Sequence, residues 1–368
     1  MKLAQILPLT SLRGIAAISV MLLHISTMLL PKMGVFLQDY TFLLEKSYLW
    51  VDFFFLLSGF ILFRVYSQEL LTHKLSYKSF LLVRLLRIYP LHFCTLLFFI
   101  IFELYRLVNG EGAFSGFRTG IDLLRNLFLV HSIQFNPIET TWNYPSWSLS
   151  TEWLAYLVFP FMVTFSATLS EKLKIIALLL CGLLVFWVSG RTIYLLDVTG
   201  YLGIIRCLAE IFAGLLLASN ISSIMSFVRK IQSMAVMAIA LLLICALHFS
   251  WLDGVVVLLM ATVMMVCSEG EHVLYRILCH PIFVYLGKIS FSIYLVHYPV
   301  LFMLKIILPK LMNGVEIQDL DSGFYWVTLS CLTIFITLSV SHFSYQWIEV
   351  AGRNWLQRIV TNKPLVSA

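Results

Sequence analysis

The stretch Leu12-Arg13-Gly14-Ile15-Ala16-Ala17-Ile18-Ser19-Val20-Met21-Leu22-Leu23-His24 lies in an apolar run over residues 11–31. It sets an arginine and a histidine inside one membrane-spanning segment. In an α-helix, eleven steps of about 100° close about three turns, so Arg13 and His24 share one face. At about 1.5 Å per residue they stand roughly 16 Å apart along the axis, about half the hydrocarbon thickness. One ionisable side chain inside a membrane helix is costly, and two on one stripe point to a lined passage. The alternative is that Arg13 snorkels to the cytoplasmic interface and His24 is a hydrogen-bonded core residue.

The rest of the chain has the composition such a segment requires. Of 368 residues, 60% are hydrophobic and 12% charged, and the mean hydropathy is +0.92. Soluble domains carry about twice that charge. The apolar runs reach about 20 residues, unlike the alternating segments of about 10 that build an outer-membrane barrel. The sequence therefore predicts an all-α polytopic membrane protein, with residues 1–368 forming a single bundle of about ten transmembrane helices. The formal charge of +6 comes without any Lys/Arg-rich tract, so nucleic acid is not an expected partner. The seven cysteines include no C-x-x-C pair and read as small buried hydrophobes, with no disulfide or metal framework. Lys2 ahead of an apolar run has the look of a signal peptide. The interior Arg13 and His24, and the lack of an A-x-A-like site, favour a retained helix.

Apolar runs and breaks predict spans near 11–31, 48–66, 86–105, 150–168, 174–190, 199–219, 232–249, 252–268, 282–308 and 324–347. The short gap at Asp253-Gly254 predicts a helical hairpin, and Pro299 a kink in the long ninth run. With the N-terminus inside, about 16 Lys and Arg fall on the inner side and about 7 outside, which supports two cytoplasmic termini. His73 to Tyr89 reads as an amphipathic helix on the inner surface ahead of Pro90. Arg106 to Trp147 is the longest polar stretch and lies outside. Its end, Thr141 to Trp147, has the aromatics of an interface belt.

With that topology, His24, His297, Asp52 and Glu152 all fall in the outer half of the membrane, within roughly 10 Å of depth. Because polar groups facing lipid are disfavoured, convergence is expected. A histidine beside a carboxylate can take a proton from a hydroxyl, the carboxylate fixing the imidazole tautomer. Glu152 is the better partner, since Asp52 sits where it would merely cap its helix at the outer face. A hydrogen-bonded network that fixes helix packing is the other reading. At the inner face Arg84 and Arg87, three apart, project from one patch and could clamp a diphosphate or an anionic lipid headgroup. Arg206 and Glu210, four apart, read as a mutually neutralising pair.

These residues fall into ordered motifs. Leu12 to Ala17 leads to His24 as an R-x10-H element. Val51-Asp52-Phe53-Phe54-Phe55-Leu56-Leu57-Ser58-Gly59-Phe60 is an FF-x-x-SG-like segment. Arg84-Leu85-Leu86-Arg87-Ile88-Tyr89-Pro90 is an R-x-x-R-I-Y-P element. Trp147-Ser148-Leu149-Ser150-Thr151-Glu152-Trp153 is a WSLS-x-E segment, and Ser290 to His297 is an S-x-x-x-Y-L-x-H run. In this order the chain resembles the acyltransferase-3 family of bacterial membrane O-acyltransferases. Glu349-Val350-Ala351-Gly352-Arg353 resembles the family's closing E-x-P-x-R element without its proline.

The resemblance implies a multi-pass protein of the bacterial cytoplasmic (inner) membrane. It would move an acyl group, most often acetyl, from cytoplasmic acyl-CoA to a hydroxyl of an extracytoplasmic or lipid-linked glycan. It implies that Arg13 and His24 are essential, that Arg84 and Arg87 serve acetyl-CoA or another acyl-CoA, and that Glu152 and His297 support them. No hydrolase-like outer domain is expected, so the outer loop would handle the acceptor. The expected mechanism docks the coenzyme phosphates on Arg84 and Arg87 with Arg13 near the entrance. The pantetheine arm threads a passage to His24, the general base, which Glu152 or Asp52 orients. An acyl-enzyme on His24 or Ser150 is the second route. A proton-coupled transporter using the same buried His, Asp and Glu is the second class of function.

Overall fold

A computed structural model describes residues 6–116, 118–134, 142–191, 196–221, 233–269 and 272–355, all in helices and connecting turns. The chain begins with α1 (Leu7–His24), which continues as a π-helical stretch, Ile25–Leu29. Pro8 in the first turn suits a position whose N–H has no intrahelical partner. There follow α2 (Pro31–Gln38), α3 (Trp50–Leu71), α4 (Tyr77–Val108) and α5 (Gly120–Leu127). Next come α6 (Trp147–Thr168), α7 (Glu171–Ser189), α8 (Gly200–Ser219), α9 (Ser233–His248) and α10 (Asp253–Ser268). The last are α11 (Val273–Leu278), α12 (Pro281–Lys288), α13 (Ser290–Leu311) and α14 (Gly323–Ser344), the last running on as a π-helical stretch, Tyr345–Gly352. Ser76, Thr119 and Ser170 cap α4, α5 and α7 by accepting the N–H three residues on.

Among the described residues, eight helices are long and apolar enough to cross a membrane. The two shorter apolar helices, α9 and α10, form the expected hairpin, and Ser250 in the turn takes a positive φ of 54°. The sequence boundaries shift in two places. Of the surface helix expected over His73–Tyr89, residues from Tyr77 on form the first part of α4, which passes through Pro90 without a break, while His73 lies in the preceding turn with a φ of 55°. At 32 residues α4 is about 48 Å long, well beyond a hydrocarbon core of about 30 Å, so it extends out of the membrane. The ninth run divides at Ile289 into α12 and α13. Pro299 sits inside α13, and the Leu295 carbonyl that its missing N–H would have bonded accepts instead from Asn143 Nδ2 at 3.3 Å.

Two glycine contacts set the helix packing around the site. A Cβ on Gly59 of α3 would fall 1.9 Å from the Ile211 carbonyl oxygen, and one on Gly214 of α8 2.0 Å from that of Leu56. A Cβ on Gly14 of α1 would lie 2.6 Å from the Gly287 nitrogen, and one on Gly287 of α12 1.9 Å from the Thr10 oxygen. Lipid gives little hydrophobic drive between helices, so such backbone approach supplies the packing that holds them. Phe53, Phe60, Phe80, Phe159 and Tyr156 fill the interior between α3, α4 and α6. The cysteines depart from the reading of buried hydrophobes in part: Cys181, Cys207 and Cys267 are buried, but Cys94 and Cys331 are exposed.

Candidate functional site

His24 is the last residue of α1, where the helix widens into its π-helical stretch, a distortion frequent at functional sites. α1 and α13 bring it against His297: His24 Nδ1 lies 2.9 Å from His297 Nε2, and the rings stack with centroids 5.0 Å apart. His297 Nδ1 is 3.0 Å from the Ile293 carbonyl, to which it donates its proton. The neutral pair then has one arrangement. His297 Nε2 is an acceptor, His24 Nδ1–H donates to it, and His24 Nε2 carries a free lone pair. His297 is fully buried while His24 is partly exposed. Tyr144 meets the His24 ring edge-on at 5.3 Å.

A cavity of about 170 Å³ has Arg13, Arg84, Arg87, Glu152, Ser148 and Tyr294 among its walls. Arg13 makes no hydrogen bond or ion pair with the described residues. Arg84 lies over the rings of Tyr156 and Tyr66, at 5.2 and 5.9 Å from their centroids. Arg87 Nη1 donates to Glu349 Oε2 at 2.5 Å, and Ser292 Oγ donates to Glu349 Oε1 at 2.5 Å. Glu152 accepts from Ser58 Oγ at 2.7 Å and from the Tyr156 hydroxyl. Arg13 and Arg84 thus line the cavity with no carboxylate of the described residues at ion-pair distance, a setting that suits an anionic ligand.

The structure therefore divides the sequence-derived residues into three groups. Arg13, Arg84, Arg87 and Glu152 share the cavity. His24 and His297 form a pair outside its lining. Asp52 belongs to neither. It is buried against Arg206, with Asp52 Oδ1 3.4 Å from Arg206 Nε and Glu210 beside it. Arg206 accordingly reaches across to Asp52 on α3, and its guanidinium also lies over Trp147 at 5.2 Å. The expected carboxylate partner of His24 is thus replaced by an imidazole. Ser150 is also out of reach. Its Oγ is buried, donates to the Leu129 carbonyl at 2.8 Å and accepts from Ser132 N at 3.0 Å.

The segment ending at Trp147 is not an interface belt. Trp142 and Trp147 are buried, and Tyr144 edges His24; Thr141 lies outside the described residues. The sequence motifs include Ser58, Tyr294 and Ser292 without assigning them a role, and Tyr156 lies outside those motifs. The i, i+4 spacings of Glu152 with Tyr156 and of Ser290 with Tyr294 could have flagged two of them.

A family model described as an acyltransferase domain matches residues 8–342. The chain is also similar to the acyltransferase MdmB of Streptomyces mycarofaciens, with 37% identity over 158 residues, which is 41% of this chain and 38% of that protein. The match thus spans well under half of the relative's length. No solved structure matches.

Proposed function

The chain belongs to the acyltransferase-3 family and is a multi-pass membrane acyltransferase, and on that premise we propose that it moves an acyl group from acyl-CoA to a hydroxyl of a glycan or lipid-linked sugar. One observation carries this reading. α1 presents an unpaired Arg13 to the cavity and, about three turns on, a His24 whose Nε2 is free to accept a proton.

The coenzyme's phosphates would meet Arg13, Arg84 and Arg87, guanidiniums suited to forked contact with phosphate oxygens. A cavity of about 170 Å³ is smaller than the roughly 300–1,000 Å³ of pockets that enclose a whole small ligand. The nucleotide therefore stays outside, and only the thin pantetheine arm enters. His24 Nε2 takes the acceptor's hydroxyl proton, the oxygen bonds to the thioester carbonyl carbon, and the C–S bond breaks. The leaving thiolate takes up the proton. His297 accepts the His24 Nδ1–H throughout, holding the tautomer and steadying the imidazolium that forms. The acyl group is most simply acetyl. The inner-side excess of Lys and Arg supports both termini in the cytoplasm, and the family resemblance supports residence in a bacterial inner membrane.

The test uses purified protein in vesicles, labelled acetyl-CoA, and a panel of glycans and lipid-linked sugars. Label appearing as an acceptor ester with one CoA released per ester supports the reading. Uptake of an unmodified solute without group transfer contradicts it.

A further inference from the structure

Neither His24 nor His297 lines the arginine cavity, whereas Tyr294, one turn before His297, does. α1 runs alongside α12 and then α13 in one parallel register: Gly14 meets Gly287 of α12 and His24 meets His297 of α13, pairs the same distance apart in sequence. On that scale Tyr294 is level with Met21, about 12 Å beyond Arg13 and about 4.5 Å short of the histidines. Ser290, Phe291 and Tyr294 line the cavity; His297, the next residue on that face of α13, does not.

Tyr294 is buried, at 6% exposure. Its ring meets Phe54 edge-on at 5.7 Å and His297 at 6.1 Å. Its hydroxyl and that of Ser148 lie 2.9 Å apart, and both reach the Pro145 carbonyl, at 3.2 and 3.0 Å. Pro145 and Ser148 belong to the same segment as Tyr144, which edges His24. The latch thus ties the cavity's end wall to the segment beside the base.

We propose that Tyr294 is a positioning residue, a partition that must swing aside for the acyl group to reach His24 and that keeps the thioester from the base until the donor arm is seated. This rests on the acyl-CoA reading. The partition has a chemical purpose. Without it His24 would serve water as readily as an acceptor: water gives a proton to Nε2, its oxygen bonds to the acyl carbon, the C–S bond breaks, and the thiolate takes the proton. The donor is then lost as free acid and CoA.

The experiment measures CoA release from acetyl-CoA with no acceptor present, for wild type, Tyr294→Phe and Tyr294→Ala in vesicles. Tyr294→Ala should release CoA at least tenfold faster than wild type, and Tyr294→Phe, which keeps the ring but loses the latch, should fall between. Adding His24→Ala to Tyr294→Ala should return release to the wild-type level. Wild-type release from Tyr294→Ala, in a preparation whose wild type makes ester, overturns the proposal. A second arm needs no turnover. A membrane-impermeant thiol reagent, applied from the side opposite the arginines, is used on Ser148→Cys and compared with the chain retaining Ser148. Added label should appear only when Tyr294 is also alanine. Equal labelling with and without Tyr294 overturns the partition. A wild type that makes no ester from acyl-CoA would sink the donor reading, while the labelling arm still decides whether Tyr294 closes the passage.

Discussion

Replacing Gly287 by alanine should weaken catalysis without touching either histidine. A Cβ there would lie 1.9 Å from the Thr10 oxygen and 2.4 Å from the Thr10 carbonyl carbon, backbone atoms that cannot rotate away. Ordinary contact begins at 3.4 Å, so α1 and α12 must part by about 1.5 Å in a close-packed interior. Only Ile289 separates α12 from α13, so the displacement passes to His297. The His24–His297 contact of 2.9 Å would then open to about 4 Å, beyond hydrogen-bonding range. A misplacement of about 1 Å can cost about 100-fold in rate, and kcat should fall by about that factor. The assay is the initial rate of labelled ester formation by protein that elutes as a single species with unchanged helicity. Gly182→Ala is the control, because a Cβ there meets nothing within 4 Å, and it should keep wild-type kcat. Wild-type kcat in a helical Gly287→Ala protein would refute the idea that this glycine contact sets the pair.

Other outcomes follow from single contacts. Glu349→Gln removes the carboxylate that competes for Arg87; the freed guanidinium should hold the donor's phosphates more tightly, and the donor KM should fall by about tenfold, as for one charge-assisted hydrogen bond, with kcat within about twofold in steady-state kinetics. Ser150→Ala should lower thermal stability by about 1–3 kcal/mol, because a buried carbonyl loses its donor, yet leave kcat per folded molecule unchanged; a collapse of kcat would revive Ser150 as an acyl carrier. His131, outside the spanning helices, is buried with His92 stacked on it, and burial first and that neighbour second push its pKa down to about 3. The folded protein then binds fewer protons than the unfolded chain below about pH 6.5. Its contribution to stability is present above that pH and is lost as the pH falls toward 3, so His131→Gln should flatten the acid limb of a melting-temperature profile over that window.

The spanning helices were legible because each is a long apolar run, and the Arg13–His24 stripe because helical periodicity fixes which residues share a face. Lateral position was not legible. His24, His297, Asp52 and Glu152 have similar depths, but a shared depth leaves the choice of partner to packing. Packing gave His297 to His24, Arg206 to Asp52, and Ser58 with Tyr156 to Glu152. The reach of Glu349 to Arg87 joins residues 262 apart, a separation no local pattern encodes. Pro90 misled for a local reason. Proline marks a probable helix end, but in a membrane the chain gains by keeping every other backbone hydrogen bond, and α4 runs through it. The cavity that starts at Arg13 has Tyr294 in its lining but neither histidine, an arrangement that charge patterns do not record.

The most direct measurement compares His24→Ala with wild type in two readouts on one preparation, equilibrium binding of acetyl-CoA and single-turnover transfer to an acceptor. With Arg13, Arg84 and Arg87 intact, binding should match wild type while transfer falls by about 100-fold to 10,000-fold, the range for loss of a general base. Transfer by His24→Ala at the wild-type rate would show that the imidazole at the end of α1 is not the base.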